Sequence, residues 1–207
     1  PPPQRPVGHA ARPRCLPPRN HYRGGLTTSL RISFQELATR VSHRNTGKVC
    51  NDAIAEQLMA RVSHDENLHM IFYRDVSAAG LDIAPNQAMK SVHRILRNFK
   101  MPGFTVPEFR RKAVIIAVGG VYDPRIHLDE VVMPVLKKWR IFEREDFTGE
   151  AARMRDDLGL LVKELQDASE KFEESKQRYL EREARRTEKI TASKVLQTKG
   201  TLTLSRH

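Results

Sequence analysis

Apolar residues recur three and four positions apart through most of the chain, and this spacing constrains the fold more than any other feature of the sequence. The first series is Leu30, Phe34, Leu37 and Val41, and the segment 154–172 repeats the pattern. Residues at this spacing share one face of an α-helix, whereas a half-buried strand would alternate at every second position. No segment shows that alternation. The sequence therefore predicts an all-α protein.

Prolines, glycines and capping residues divide the pattern into separate helices. Asp52 stands where a helix N-cap is expected, and the segments 80–87 and 101–108 contain the prolines and glycines that end helices. The segment 107–122 is rich in apolar residues, so we expect it to lie deep in the body. The predicted helices span about residues 26–44, 52–79, 86–99, 107–122, 124–139 and 154–176.

The two ends of the chain lack this periodicity. Residues 1–25 contain seven of the twelve prolines, which is the composition of an unpacked segment, and the residues beyond 176 are nearly all charged or polar. We therefore predict a disordered Pro/Arg-rich arm over residues 1–28, one helical domain over 29–190, and a loose tail over 191–207.

The basic charge is concentrated in the leading segment. Residues 1–48 contain nine Lys or Arg and one acid, a net of +8; the other 159 residues hold 27 basic and 24 acidic side chains, a net of +3. Apart from Tyr22, the arm has no aromatic residue that could stack on bases. Nucleic-acid binding is therefore the least supported function class.

No apolar run is long enough for a transmembrane helix. The longest, Ala113 to Tyr122, is about half of the roughly 20 residues that a span needs. The leading residues lack the apolar block of a secretory signal, and Cys15 and Cys50 are too few for a disulfide framework. These features predict a cytoplasmic protein with free thiols.

The sequence DENLH, residues 65–69, places Glu66 and His69 three positions apart within a predicted helix. Both side chains can therefore reach one point, as metal ligands must, although such a pair is more often part of a solvated helix face. Glu36 lies near the apolar side of the preceding helix, where a carboxylate is costly unless it is paired or bound to a metal. Two antiparallel helices could bring Glu36 opposite Glu66 and His69, and this donor set suits iron or manganese.

A second group, His127, Asp129 and Glu130, has the order His-x-x-Glu but no further partner nearby in the sequence. We interpret it as an ordinary helix face.

Four stretches together resemble one known family. They are SFQELATRVSHRNTGK (33–48), DENLHMIFYRDV (65–76), FKMPGF (99–104) and LKKWRIFEREDFTGE (136–150). They resemble the acyl-[acyl-carrier-protein] desaturases of the stearoyl type, above all their actinobacterial, mycobacterial branch. The resemblance covers about residues 32–190. It implies a ferritin-like helical bundle, of which this chain holds the C-terminal part.

The resemblance also implies a site and a reaction. Glu36, Glu66 and His69 match iron ligands of the family, Thr39 matches a threonine beside the oxygen-binding site, and Asp65 matches an acid that hydrogen-bonds a histidine ligand. The implied activity is the O2-dependent introduction of a double bond into a fatty acyl chain on acyl carrier protein, in fatty acid biosynthesis. A ferredoxin-type donor would supply electrons, and the complete family protein would be a homodimer.

The carrier is acidic, so the family needs a basic docking surface. Lys90, Arg94 and Arg97 form one stripe that could serve, although the sequence slightly favours an ordinary solvated face.

Residues 1–28 do not resemble the family, and only three of its six iron ligands are present. We therefore expect a truncated form. Because half of the ligand set is missing, the isolated chain should bind iron weakly or not at all, associate through uncovered apolar faces around Phe34, Leu37, Leu58 and Val62, and fail to desaturate. The alternative is a non-catalytic helical remnant that acts only in packing or partner binding.

Overall fold

A computed structural model describes residues 20–99 and 105–204. The elements are α1 (Asn20–Val49), α2 (Ala53–Ile83), α3 (Pro85–Arg97), α4 (Phe109–Val118), α5 (Pro124–Ile126), a π-helical segment (His127–Val132), α6 (Met133–Lys138) and α7 (Glu150–Leu204). No strand occurs among these residues, so the predicted all-α fold is confirmed. None of the described helices is both long and apolar enough to cross a membrane.

Helices α1 and α2 form a closely packed antiparallel pair. The Asp52 side chain accepts a hydrogen bond from the Ala55 amide at 2.8 Å and so caps α2, as predicted. The interface between the two helices is made of small residues: the hydroxyls of Ser29 and Ser77 lie 3.0 Å apart, and a Cβ added at Gly47 would come within 2.9 Å of the Met59 Cβ. Small side chains let the two backbones approach, which places facing residues of α1 and α2 within reach of each other.

The inner face of α1 forms the centre of the hydrophobic core. Its predicted apolar residues, Leu30, Phe34, Leu37 and Val41, are all buried. The Phe34 ring meets Trp139 edge to face, with 5.5 Å between ring centroids. Uncovered apolar faces around Phe34 and Leu37 were expected, and this expectation is wrong, because α3, the π-helical segment and the Trp139 region cover this side of the pair.

The predicted arm is wrong over its last residues. Helix α1 begins at Asn20, and residues 1–19 lie outside the described part of the chain. Leu26 packs against the core, and the Thr27 and Ser91 hydroxyls are 2.8 Å apart. Contacts with other helices can hold a first turn that the local sequence alone does not favour, which explains why Gly24 and Gly25 do not end the helix.

The backbone of α7 is helical as far as Leu204, whereas a loose tail was predicted from residue 191. This segment contains no proline to interrupt the backbone hydrogen bonds, and Lys, Arg, Glu and Gln are good helix formers. Salt bridges within the helix, such as Glu183 with Arg186 at 3.8 Å, add modest local support. A highly charged segment does not pack into a core, but its residues can still form a helix.

Helix α4 does not lie deep in the body, as the sequence had suggested. Val114, Ile115 and Ile116 are exposed, whereas Ala117 is buried. An apolar composition without a polar side gives no direction in which to orient a helix, so composition could not decide its burial.

Candidate metal site

Glu36, Glu66 and His69 lie together on one side of the α1–α2 pair. Each offers one ligand atom, and these atoms all lie within 4.8 Å of one another. The His69 Nδ1 atom is 3.4 Å from Glu36 Oε2 and 3.6 Å from Glu66 Oε2. The antiparallel pairing that the sequence suggested therefore brings the three side chains to one point. Their role as metal ligands stays a prediction.

The site faces outward from the pair. The Glu36 side chain is 22% exposed and that of His69 is 61% exposed. The buried side of α1 lies on the opposite face, around Phe34 and Val41. The ligand cluster thus belongs to the surface of the described structure rather than to its core.

The electrostatics of this cluster suit a bound cation. Burial and the facing Glu66 carboxylate raise the pKa of Glu36 to about 7, and His69 opposes this rise only in part. Two carboxylates that share one space repel each other when both are ionised. A divalent metal would remove this repulsion, and two carboxylates with one imidazole are donors that iron accepts. The residues present therefore fit an iron site, with donors for part of its coordination shell.

His43 is a further member of the site that sequence reasoning missed. Its Nε2 atom lies 3.6 Å from Glu66 Oε1, and its side chain is partly exposed. The available sequence signal was its position seven residues after Glu36, two helical turns along the same face of α1.

Two other predicted site residues lie beside the cluster. Thr39 donates hydrogen bonds to the carbonyl oxygens of Glu36 at 3.0 Å and Gln35 at 3.2 Å. Asp65 is exposed, and it makes no hydrogen bond or ion pair within the described residues. The hydrogen bond expected between Asp65 and a histidine ligand is therefore not present in this part of the chain, and the roles of both residues stay predictions.

The basic stripe on α3 is only partly free. The Lys90 ammonium forms an ion pair with Glu150 at the start of α7, whereas Arg94 and Arg97 are exposed. Docking of an acidic partner would therefore depend on the two arginines, and Lys90 would first have to leave Glu150.

The second group of titratable residues does not form a ligand cluster. The His127 ring stacks on Phe99 with 4.4 Å between centroids and is hydrogen-bonded to Tyr122, and burial lowers its pKa to about 4. Glu130 pairs with Arg44 at 2.6 Å. The interpretation as a helix face is right for the exposed Asp129 and wrong for His127, which points into the body.

Comparisons with known proteins agree on one family. A family model described as fatty acid desaturase matches residues 19–191. A Mycobacterium tuberculosis relative assigned by name to the acyl-[acyl-carrier-protein] desaturases, DesA1, is 68% identical over 195 residues, which cover 92% of this chain and 58% of the relative. The match begins at residue 19, so the boundary predicted at residue 28 is too late.

More distant relatives are chloroplast proteins. Acyl-[acyl-carrier-protein] desaturase 6 of Oryza sativa subsp. japonica is 27% identical over 180 residues, which cover 81% of this chain and 41% of the relative. Stearoyl-[acyl-carrier-protein] 9-desaturase 6 of Arabidopsis thaliana is 26% identical over 165 residues, which cover 75% and 41%. The chain spans about half the length of the curated relatives it matches.

Proposed function

Because the chain belongs to the fatty acid desaturase family and has its ferritin-like helical fold, we propose that it acts as part of an acyl-[acyl-carrier-protein] desaturase. The reaction is the O2-dependent introduction of a double bond into a carrier-bound fatty acyl chain, within cytoplasmic fatty acid biosynthesis. The names of the relatives support the substrate class.

The observation that carries the proposal is the convergence of Glu36, Glu66 and His69, whose ligand atoms lie within 4.8 Å of one another. These three residues would hold iron. Bound iron would supply the oxidising chemistry that removes hydrogens from two adjacent methylene groups. The chain's own contribution is to hold two carboxylates and an imidazole on rigid, closely packed helices, so that little reorganisation is needed on binding.

Thr39 is the proposed catalytic side chain. Its hydroxyl lies one helical turn from Glu36 and holds its proton against the Glu36 carbonyl oxygen at 3.0 Å. A rotation about χ1 would release this proton from the backbone and direct the hydroxyl away from it, as threonine in a helix populates two rotamers. Thr39 can therefore hold or deliver one proton beside the ligand cluster.

The proposed partners follow from the family. An acyl carrier protein would dock on the exposed Arg94 and Arg97, a ferredoxin-type protein would donate electrons, and the complete protein would be a homodimer. Arginine suits an acidic carrier because its guanidinium pairs with carboxylates in a bidentate manner.

A second candidate is a non-catalytic helical protein that uses this fold only for packing or partner binding. The 61% exposure of the His69 side chain favours it, because a working oxidative site is normally shielded from water. Metal binding separates the two candidates.

The test is an anaerobic Fe²⁺ titration of the chain and of its Glu66→Ala and His69→Ala variants. The matched control is His64→Ala, since His64 is an exposed histidine of α2 outside the cluster. We expect both site variants to weaken iron binding at least about tenfold and the control to leave it unchanged. Measurable iron binding that is equal in all four proteins would reject the metal site. We expect no desaturation by the chain alone, and recovery when the rest of a family member is co-expressed.

A further inference from the structure

A cavity of about 340 Å³ lies between α1, α2 and the segment that joins the π-helical turn to α6. Its apolar floor includes the buried residues Leu37 and Val41, and its rim is charged. One wall is the π-helical segment His127–Val132, a geometry that is frequent at functional sites. Small-molecule pockets measure about 300–1,000 Å³, so the cavity can admit a small ligand.

Three arginines line this cavity, Arg40 and Arg44 from α1 and Arg74 from α2. Arg40 and Arg44 are four residues apart, so they share a helix face, and like charges at this spacing repel each other. The backbone at two of the three positions is fixed by a neighbour. The Ser63 hydroxyl donates to the Arg40 carbonyl oxygen at 3.0 Å, and the Trp139 indole donates to that of Arg74 at 2.9 Å.

Much of the hydrogen-bonding capacity of these arginines is not used within the described part of the chain. Arg40 is partly buried, and its guanidinium makes no hydrogen bond or ion pair there. Arg74 donates from Nε to Asp75 at 3.0 Å, while its two terminal nitrogens have no partner among the described residues. A partly buried guanidinium without an acceptor is costly, and its planar fork of donors fits an oxyanion.

Two acids at the rim reduce the positive charge without cancelling it. Glu130 pairs with Arg44 at 2.6 Å, and Asp129 lies 3.9 Å from Arg125, which is not part of the cavity wall. The wall thus holds three guanidinium groups and two carboxylates, one of which also faces a cation outside the wall. The side chains of Arg44 and Glu130 are 37% and 41% exposed, so their ion pair contributes little and Arg44 is able to turn towards a ligand.

We propose that this cavity binds the phosphate group of a small molecule, with Arg40 and Arg74 as its main donors and Arg44 as the third. A carboxylate ligand has a single charge, as Glu130 already has, and would gain no advantage over it at Arg44. A phosphate monoester has a charge of about −1.5 to −2 near pH 7 and three acceptor oxygens, one for each guanidinium. Glu36, Glu66 and His69 do not line the cavity, so the inference does not depend on the proposed metal site.

The experiment measures anion binding to the metal-free 207-residue chain at constant ionic strength. Trp139 is the single tryptophan of the sequence, and its hydrogen bond to Arg74 makes its fluorescence a reporter of the cavity wall. Isothermal titration calorimetry supplies the stoichiometry. The probes are inorganic phosphate, glycerol 3-phosphate and acetate.

We expect one glycerol 3-phosphate to bind per chain, at least as tightly as inorganic phosphate, and acetate to bind at least about tenfold more weakly. Acetate binding of equal strength would overturn the assignment to a phosphate group. Tighter binding of inorganic phosphate than of glycerol 3-phosphate would overturn the assignment to a small molecule that carries one.

Two arginine variants and a matched control test the position of the ligand. Arg40→Gln and Arg74→Gln should each weaken glycerol 3-phosphate binding at least about tenfold, because each removes charged hydrogen-bond donors. The control is Arg31→Gln, since Arg31 is an exposed arginine on the opposite side of α1. It should bind as the unmodified chain does. Equal weakening in all three variants would show that only the net charge matters and would overturn the site.

An acidic residue of the rim should have the opposite effect. Glu130→Gln removes a negative charge and releases Arg44, so it should strengthen glycerol 3-phosphate binding at least about threefold. Glu164→Gln, at an exposed position of α7, removes the same charge away from the cavity and should leave binding unchanged. Circular dichroism checks that both variants stay helical. Weaker binding by a helical Glu130→Gln variant would place the anion outside the cavity.

A last variant separates this cavity from the metal-ligand cluster. A protonated His69 could itself attract an anion, so His69→Ala is titrated with glycerol 3-phosphate as well. Binding should be unchanged. Its loss would move the anion to the cluster of Glu36, Glu66 and His69 and overturn the inference, whereas the proposed desaturase function is tested separately by the iron titration.

Discussion

The α1–α2 pair has two faces that look alike in sequence and differ in the folded chain. On the inner face, Phe34 and Val41 are buried against Trp139 and its neighbours. On the outer face, Leu58 and Phe72 remain exposed around the ligand cluster. Apolar periodicity therefore identifies surfaces that are suited to packing, but it does not say which of them the same chain covers.

The polar residues of the two faces differ in kind. The inner side of the pair contains small hydroxyl groups such as Ser29, Ser33 and Ser77, which satisfy one another and the backbone. The outer face contains groups that titrate, Glu36, Glu66 and His69, whose partners are mainly each other. A neutral hydrogen-bonded cluster is complete by itself, whereas two carboxylates beside one imidazole leave a negative charge that a cation would balance.

The two faces should differ most in how much their aromatic residues contribute to stability. Trp139→Ala should lower the free energy of unfolding by about 3–5 kcal/mol, because it opens a cavity beside Phe34 and leaves the Arg74 carbonyl oxygen without the hydrogen bond that the indole donates at 2.9 Å. Phe72→Ala, on the outer face, should change it by less than about 0.5 kcal/mol in the metal-free chain. Urea denaturation measures both, and similar losses would show that the outer face is covered.

A titratable residue of the inner region should make stability depend on pH. The pKa of His127 is lowered from 6.5 to about 4 by burial, so below pH 6.5 the unfolded chain binds a proton that the folded chain excludes. The free energy of unfolding should therefore fall by up to about 3 kcal/mol as the pH falls from 6.5 to 4, and this contribution should then level off. His127→Phe should remove this dependence of the free energy of unfolding on pH, whereas His64→Ala should keep it. If the His127→Phe variant shows the same dependence as the unmodified chain, His127 is not its source.

On the outer face, Glu36→Gln should remove one proposed metal ligand and, at the same time, stabilise the metal-free chain. Burial and the Glu66 carboxylate raise the pKa of Glu36 from 4.5 to about 7, so ionised Glu36 destabilises the metal-free fold increasingly as the pH rises from 4.5 through 7. The substitution should stabilise the metal-free chain by about 1 kcal/mol near pH 8, a value reduced for solvent screening, and by much less near pH 5. Thermal unfolding at both values of pH measures this difference. If the substitution instead lowered stability near pH 8, the Glu36 and Glu66 carboxylates would not be repelling each other in the folded chain.

The smallest effect on stability is expected at the basic stripe of α3, where only binding should change. Arg94→Glu with Arg97→Glu should alter the free energy of unfolding by less than about 0.5 kcal/mol, since both side chains are exposed. The pair should weaken binding of acyl carrier protein and reduce its dependence on salt. Lys90→Glu tests a paired residue instead, and it should also cost the ion pair with Glu150. If the double variant binds acyl carrier protein as the unmodified chain does across a salt titration, the stripe is an ordinary solvated face without a role in docking.

Much of the fold follows from local patterns. The buried residues of α1 were predictable because their spacing of three and four defines one helical face, and Asp52 was predictable as an N-cap because its side chain can satisfy a free amide. The exposure of α4 and the π-helical segment at His127–Val132 were not predictable, since neither depends on a local pattern that differs from an ordinary α-helix.

The sequence by itself determined that Glu66 and His69 share a helix face, because residues three apart on one helix must do so. It also indicated that Glu36 could lie opposite them, because the predicted link over about residues 47–51 is short enough to join two antiparallel helices. Only the tertiary structure decided that Glu36 lies 3.4 Å from His69, since that distance depends on how α1 slides along α2. The register is set by contacts between residues distant in sequence, such as Ser29 with Ser77 and Gly47 with Met59, and no periodicity within either helix encodes it.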